Sequence, residues 1–129
     1  MPGEMVQRSL AKLEHAMSRL EEAVAIPETA PLAIDGTIQR FEFVFELFWK
    51  TLRRVLQEQG VSASTPRDVL RAGYEARMLA DEAAWLRMLR DRNDTSHTYD
   101  EAKAVAVYES IKANMPAMRS AIATIHEIP

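Results

Sequence analysis

Three long stripes of apolar residues, alternating three and four positions apart, constrain this chain more than any other feature. Val6, Leu10, Leu13, Met17, Leu20 and Val24 form the first. Ile38, Phe41, Phe45, Phe48, Leu52 and Val55 form the second, widened by Val44, Leu47 and Trp49. Ala104, Tyr108, Ile111, Met115, Met118, Ile122 and Ile125 form the third. A spacing of three and four keeps side chains on one face of an α-helix, whereas a strand needs alternation by two. Each stripe must be buried against another, so the fold is an all-α antiparallel up-and-down bundle of four to five helices.

Local signals punctuate the stripes. Pro27 and Pro31 end the first helix, because proline disfavours the α conformation in the residue before it. The second is expected to start near Asp35, an N-cap residue, with "PLAI" able to add a turn before it, and to stop at Gly60. Thr65 followed by Pro66 and Asp68 opens a short third helix with an apolar face of Val69, Leu70 and Tyr74. Asp81 opens a fourth that carries Trp85, Leu86, Met88 and Leu89. Asp100 or Glu101 opens the fifth, where Pro116 removes one backbone hydrogen bond and is expected to kink the helix. The second helix is the most apolar and is expected to be central. Methionines and phenylalanines on the stripes are read as core.

The 129 residues suit one domain with a real core, 1–129. Cysteine is absent, which removes disulfides and thiolate metal sites and fits a reducing cytoplasm. No signal-peptide pattern or membrane-spanning run appears, so a cytoplasmic location without membrane contact is expected. The net charge of −3 argues against binding long nucleic acid by bulk electrostatics. Any such contact must use a local positive patch. Arg87, Arg90 and Arg92 on the fourth helix, and Lys50, Arg53 and Arg54 on the second, would supply one if they faced the same cleft. The alternative is a solvated face neutralised by Asp91, Asp94 and Glu46.

The stretch "RNDTSHTY" between the fourth and fifth helices is richer than a turn requires. Cationic and short polar side chains suit a helix end, so Arg92, Asn93, Ser96 and His97 can be read as caps and Tyr99 as packing. The chemical reading is sharper. A guanidinium presents a planar donor fork suited to phosphate, and an imidazole moves protons near neutral pH. Together they allow RNA cleavage without a metal. Histidine takes the 2′-hydroxyl proton, and arginine stabilises the phosphorane that forms. In an unbroken helix positions five apart are offset by about 140°, so Arg92 and His97 converge only if the helix breaks or bends between them. "NDTS" supplies a break. One histidine cannot act as base and acid in a single step, and a twofold homodimer, supported by the second helix's broad surface, would bring a second pair.

The spacing Arg92, four residues, His97, one residue, Tyr99 resembles the R-x4-H-x-Y signature of the HEPN superfamily. With "IQRFEFVFELFWKTL" (38 to 52), "TPRDVLRAGYEARML" (65 to 79) and "WLRMLRDRNDTSHTYDE" (85 to 101), the chain is similar to the subfamily of nucleotidyltransferase substrate-binding proteins. Val44 stands where that family is expected to carry threonine. The resemblance implies a helical bundle, usually a homodimer, in one of two roles. One is a ribonuclease toxin with Arg92, Asn93 and His97 catalytic and Tyr99 adenylylated by a partner minimal nucleotidyltransferase acting as antitoxin; Arg87, Arg90 and Lys50 of the positive patch, with Ser96, are then the candidates for contacting substrate RNA. The other is a non-catalytic nucleotide- or substrate-binding subunit of a two-component nucleotidyltransferase. A purely structural dimerisation module is a third possibility. No cofactor or metal is expected. His15 and His126 read as surface or cap residues, with no metal-ligating pattern around them. Glu42 and Glu46, one turn apart, are positioned to hold Arg or Lys partners across the core edge.

Overall fold

In the computed structural model, which describes residues 2–97 and 100–129, the chain forms five α-helices and one short 3-10 turn. They are α1 (Glu4–Ala25), α2 (Ala33–Glu58), α3 (Pro66–Glu75), α4 (Glu82–Asp94), the 3-10 turn Thr95–His97, and α5 (Glu101–His126). No strand occurs among the described residues.

The stripes are the core. On α1, Val6, Leu10, Leu13, Met17 and Leu20 are buried, and Val24 is partly so. All six residues of the α2 stripe are buried, with Val44 and Trp49. On α5, Ala104, Tyr108, Ile111, Met118, Ile122 and Ile125 are buried, while Met115 packs at the margin. Helix α2 packs against each of the other four helices, as its breadth of apolar surface requires. The Phe48 ring stacks on Trp85 of α4 with centroids 3.9 Å apart, and Phe45 meets the same indole at 6.4 Å. One expectation about aromatics fails: Tyr74 is 45% exposed rather than part of the α3 face. Phe43, off the main stripe, is 47% exposed.

Polar links fix helix direction. The Glu58 carboxylate at the end of α2 accepts from the Gly3 amide at the start of α1 (3.0 and 3.2 Å), so these helices run antiparallel. Asp91 accepts from Ser110 at 2.5 Å and Asp94 lies 3.6 Å from Lys103, which sets α4 antiparallel to α5. Helix α2 begins at Ala33, two residues before Asp35. The preceding Leu32 adopts φ 65° and is 76% exposed. Pro116 lies inside a continuous α5.

Helices α2 and α3 end alike. The Val61 amide donates to Leu56 O and the Gly60 amide to Gln57 O, with Gly60 at φ 82°. The Met78 amide donates to Gly73 O and the Arg77 amide to Tyr74 O, with Arg77 at φ 62°. Both are Schellman closures, which favour glycine at the left-handed position. Arg77→Gly therefore removes side-chain strain and should raise the unfolding free energy by about 0.5–1 kcal/mol, read as a higher urea midpoint at unchanged m-value.

Arg119 on α5 clamps α1, donating to Glu14 (2.9 and 3.1 Å) and Glu21 (2.5 and 3.1 Å). His126 reaches the same Glu14 carboxylate at 3.2 Å. Hydrogen bonding from Arg119 holds the Glu14 carboxyl below the usual carboxylate range, against an opposing contribution from burial. A carboxyl depressed on folding contributes stability at neutral pH that is lost as pH falls through its folded value. These groups are more than a third exposed, so solvent screening limits the gain. Arg119→Met should lower stability by about 1 kcal/mol at neutral pH. In denaturant titrations the gap from the parent protein should narrow as pH falls through the acid range.

Candidate functional site

Helix α4 carries Arg92 and Asn93 in its last turn and leaves α geometry after Asp94. The break therefore falls two residues beyond Arg92. Thr95, Ser96 and His97 follow as the 3-10 turn. The Thr95 hydroxyl donates to Arg92 O at 2.7 Å, satisfying one carbonyl that the helix end would leave open. The Asp100 amide donates to His97 O at 3.3 Å, and the Asp100 carboxylate caps α5 through the amides of Ala102 and Lys103. The junction is thus held at both ends by short polar residues. His97 is exposed. Because the chain is no longer α-helical between Arg92 and His97, the angular offset of a continuous helix does not apply to them.

Arg92 is held by several hydrogen bonds. Its Nε donates to Glu46 Oε1 at 2.9 Å and its Nη2 to the same oxygen at 2.5 Å, bridging α4 and α2. Its Nη1 donates to Asn93 Oδ1 at 3.3 Å. The second oxygen of Glu46 accepts from the indole Nε1 of Trp49 at 3.1 Å and lies 3.8 Å from Lys50 Nζ. One half-buried carboxylate therefore organises Arg92, Trp49 and Lys50. Three of the five N–H donors of a guanidinium serve Glu46 and Asn93. These contacts fix the plane of the fork and the direction of its Nη1 edge.

The positive residues fall into separate groups. Lys50 shares Glu46 with Arg92, and Lys50, Arg53, Arg54 and Gln57 line a hollow of about 270 Å³ on α2. Arg87 instead borders a cavity of about 290 Å³ between α4 and α5, with Trp85, Asn114 and Pro116. Arg90 is exposed and, with Arg87, lies near enough to Asp91 to favour its charged form. Ser96 is exposed within the turn. Thus Arg92, Asn93 and Lys50 come together around Glu46, Ser96 and His97 stand beside them in the chain, and Arg87 faces elsewhere. Tyr99 lies outside the described residues.

Behind the site, Asp91 is half-buried against α5. Burial pushes its carboxyl above the usual range, the nearby Asp94 charge adds to this, and the Ser110 hydrogen bond opposes it. Asn114, itself buried, donates to Ser110 Oγ at 3.3 Å and extends the polar chain into the core. The carboxylate pairing of Glu46 was expected from its spacing on α2. The Trp49 contact and the Asp91–Ser110–Asn114 chain have no sequence signal, because each depends on side chains that only the folded helices bring together. Among the described residues no group of three or more His, Cys, Asp or Glu side chains converges on a metal position, and no helix is long and apolar enough to cross a membrane.

Comparison with known proteins gives this geometry a context. A probable ribonuclease HepT of Haemophilus influenzae is 40% identical over 83 residues, which cover 60% of this chain and 57% of that protein. The match thus spans little more than half the length of that curated relative. A crystal structure of a Thermus thermophilus protein superposes with a TM-score of 0.81 at 33% identity, covering 86% of this chain and 96% of the other. A Haemophilus influenzae structure, described as revealing the fold of a substrate binding domain of a nucleotidyltransferase, gives 0.83 at 30%, with coverages of 92% and 99%. A tri-AMPylated HEPN toxin of Shewanella oneidensis, solved in complex with its MNT antitoxin, gives 0.79 at 13% identity, with coverages of 98% and 99%, a likeness of fold. The family model for nucleotidyltransferase substrate binding protein-like chains matches residues 8–127, and this protein belongs to that family.

Proposed function

We propose that this protein is a metal-independent endoribonuclease, the toxin of a toxin–antitoxin pair whose partner is a minimal nucleotidyltransferase. The observation that carries this reading is the fixed Arg92 fork at the end of α4, followed directly by a non-α turn in which His97 is exposed. His97 accepts the proton of an RNA 2′-hydroxyl. The freed oxygen attacks the neighbouring phosphorus, the bond to the 5′-oxygen breaks, and a 2′,3′-cyclic phosphate remains. Arg92 holds the non-bridging oxygens as charge gathers on them, with Asn93 fixing the Nη1 edge of the fork. Lys50 adds positive charge on the α2 side of the same carboxylate. The leaving 5′-oxygen takes a proton from a second His97 across a twofold homodimer. The curated relative's name supports the chemistry.

In this reading Tyr99, two residues beyond His97, receives AMP from the nucleotidyltransferase. A nucleotide there places a bulky anionic group where the substrate phosphate binds and repels RNA. The Shewanella structure, with its AMPylated toxin and bound antitoxin, supports this mode of control. The second role, a substrate-binding subunit without catalysis, draws support from the family description and from the Haemophilus domain. It leaves His97 without a task.

Two measurements test the proposal. Purified protein should cleave single-stranded RNA in EDTA, and His97→Ala or Arg92→Ala should reduce the rate by at least about a hundredfold. Equal cleavage by the His97 variant would remove the ribonuclease reading. Intact mass after co-expression with a partner minimal nucleotidyltransferase should rise by one or more AMP units, and Tyr99→Phe should abolish the increase.

A further inference from the structure

A groove of about 500 Å³ runs between α1 and α2, apart from the Arg92 site. Its floor includes Ala16, Leu47 and the half-exposed Phe43, and its rim carries Lys12, Arg19 and Arg40. His15 projects from α1 into the same groove. Among the described residues no carboxylate lines it, although the protein as a whole carries a net charge of −3. The Arg40 guanidinium lies over the Phe43 ring, 5.8 Å from its centroid, and Arg19 has Glu22 at 3.6 Å. Phe43 is half-exposed with Arg40 over its ring, so a base would stack there as the guanidinium swings to a flanking phosphate; exposed rings beside several cations are an arrangement by which proteins hold unpaired nucleotides. The base stacks on the ring, and the backbone phosphates follow the positive rim.

The position of Phe43 on α2 connects this groove to the site above. Phe43 and Glu46 are three residues apart and are surface neighbours on the helix. Lys50 lies one turn further along, beside the carboxylate that holds Arg92. Along the helix surface, the direction from Phe43 past Glu46 leads to Lys50, which shares that carboxylate with Arg92. A second copy of this chain fits the groove less well, since a twofold contact centred there would set Lys12, Arg19 and Arg40 against their own counterparts.

We propose that the α1–α2 groove is a positioning subsite for single-stranded RNA, with a nucleobase stacked on Phe43 and its flanking phosphates held by Arg40 and Lys12. The proposal rests on the ribonuclease reading and extends it to substrate recognition away from the scissile bond. It implies a preference for unpaired RNA, because a base already stacked in a duplex cannot reach the ring.

The test uses the full chain carrying His97→Ala, so that a fluorescent single-stranded RNA oligonucleotide of mixed sequence stays intact during binding. Phe43→Ala should weaken binding about tenfold. Lys12→Gln combined with Arg40→Gln should also weaken it and flatten the dependence of affinity on salt by about one phosphate contact or more. Phe43 is at the surface, and matched thermal unfolding of each variant serves as the folding control. Unchanged affinity in both variants, with the wild-type protein cleaving the same RNA, would overturn the subsite while leaving the ribonuclease standing. Weakened binding in both variants, with no cleavage by the wild-type protein, would remove the ribonuclease and keep the groove as an RNA site. Unchanged RNA affinity together with loss of self-association in sedimentation would assign the groove to a second copy and overturn the proposal.

Discussion

The burial of one face of α2 under every other helix is the constraint on which the remaining geometry depends. Phe41, Phe45 and Phe48 follow one another along that face, and the last two enclose the Trp85 indole of α4. Aromatic pairs of this kind contribute about 0.5–1.5 kcal/mol beyond the area they bury. Their larger effect here is positional. With Trp85 fixed against α2, the two turns of α4 that follow have little freedom, and Arg92 at their end arrives beside Glu46. Gly73 has a related role on α3, where a Cβ would come within 2.7 Å of a Leu52 methyl carbon. A side chain at that position would force Leu52 to shift within the core, so glycine favours the close approach of the short helix to α2.

The Arg92–Glu46 pair stands where the packed core meets the proposed site. A half-exposed ion pair adds little to stability, about 0–1 kcal/mol, so its geometry matters more than its strength. A free arginine at a helix end samples many rotamers, whereas this one is held through two nitrogens on one oxygen and through a third on Asn93. Glu46 is held in turn by the Trp49 indole, itself part of the core. The chain of restraint therefore runs from buried aromatics through a carboxylate to the cation. The same carboxylate lowers the local positive potential, which sets the pair's contribution as orientation more than raw attraction for phosphate.

Much of this was legible in the sequence because helical stripes report burial directly. The α1 and α2 stripes, the Thr65 and Asp81 caps, the Gly60 stop and the central place of α2 all follow from spacing and local chemistry. Tyr74 and Phe43 were harder, since residue type favours burial and only the neighbouring helices decide which flank is covered. Arg77 in a left-handed closure carries no glycine to announce it. At the site, Arg92, Asn93 and His97 stood out by type and spacing, and Glu46 by its place one turn from Glu42. Arg87 looked equivalent to Arg92 in the sequence. Five positions on a helix turn a side chain by about 140°, and the structure places it on the α5 side instead.

The acidic balance of the chain becomes intelligible once the charges are placed. Carboxylates cap helix starts, as Asp81, Asp100 and Glu58 do, or pair with cations across helices, as Glu14, Glu21 and Glu46 do. Each of these positions uses negative charge for folding. Lys12 and Arg40 serve no such link among the described ion pairs, and they share one groove with an exposed ring. A net charge of −3 averages these populations and so hides the difference between them. Affinity for an anionic polymer depends on the local density of unneutralised cations within a screening length of about 8–10 Å. The overall charge then governs solubility, and in the proposed reading the groove and the α4 terminus meet a phosphate backbone while the rest of the surface repels it.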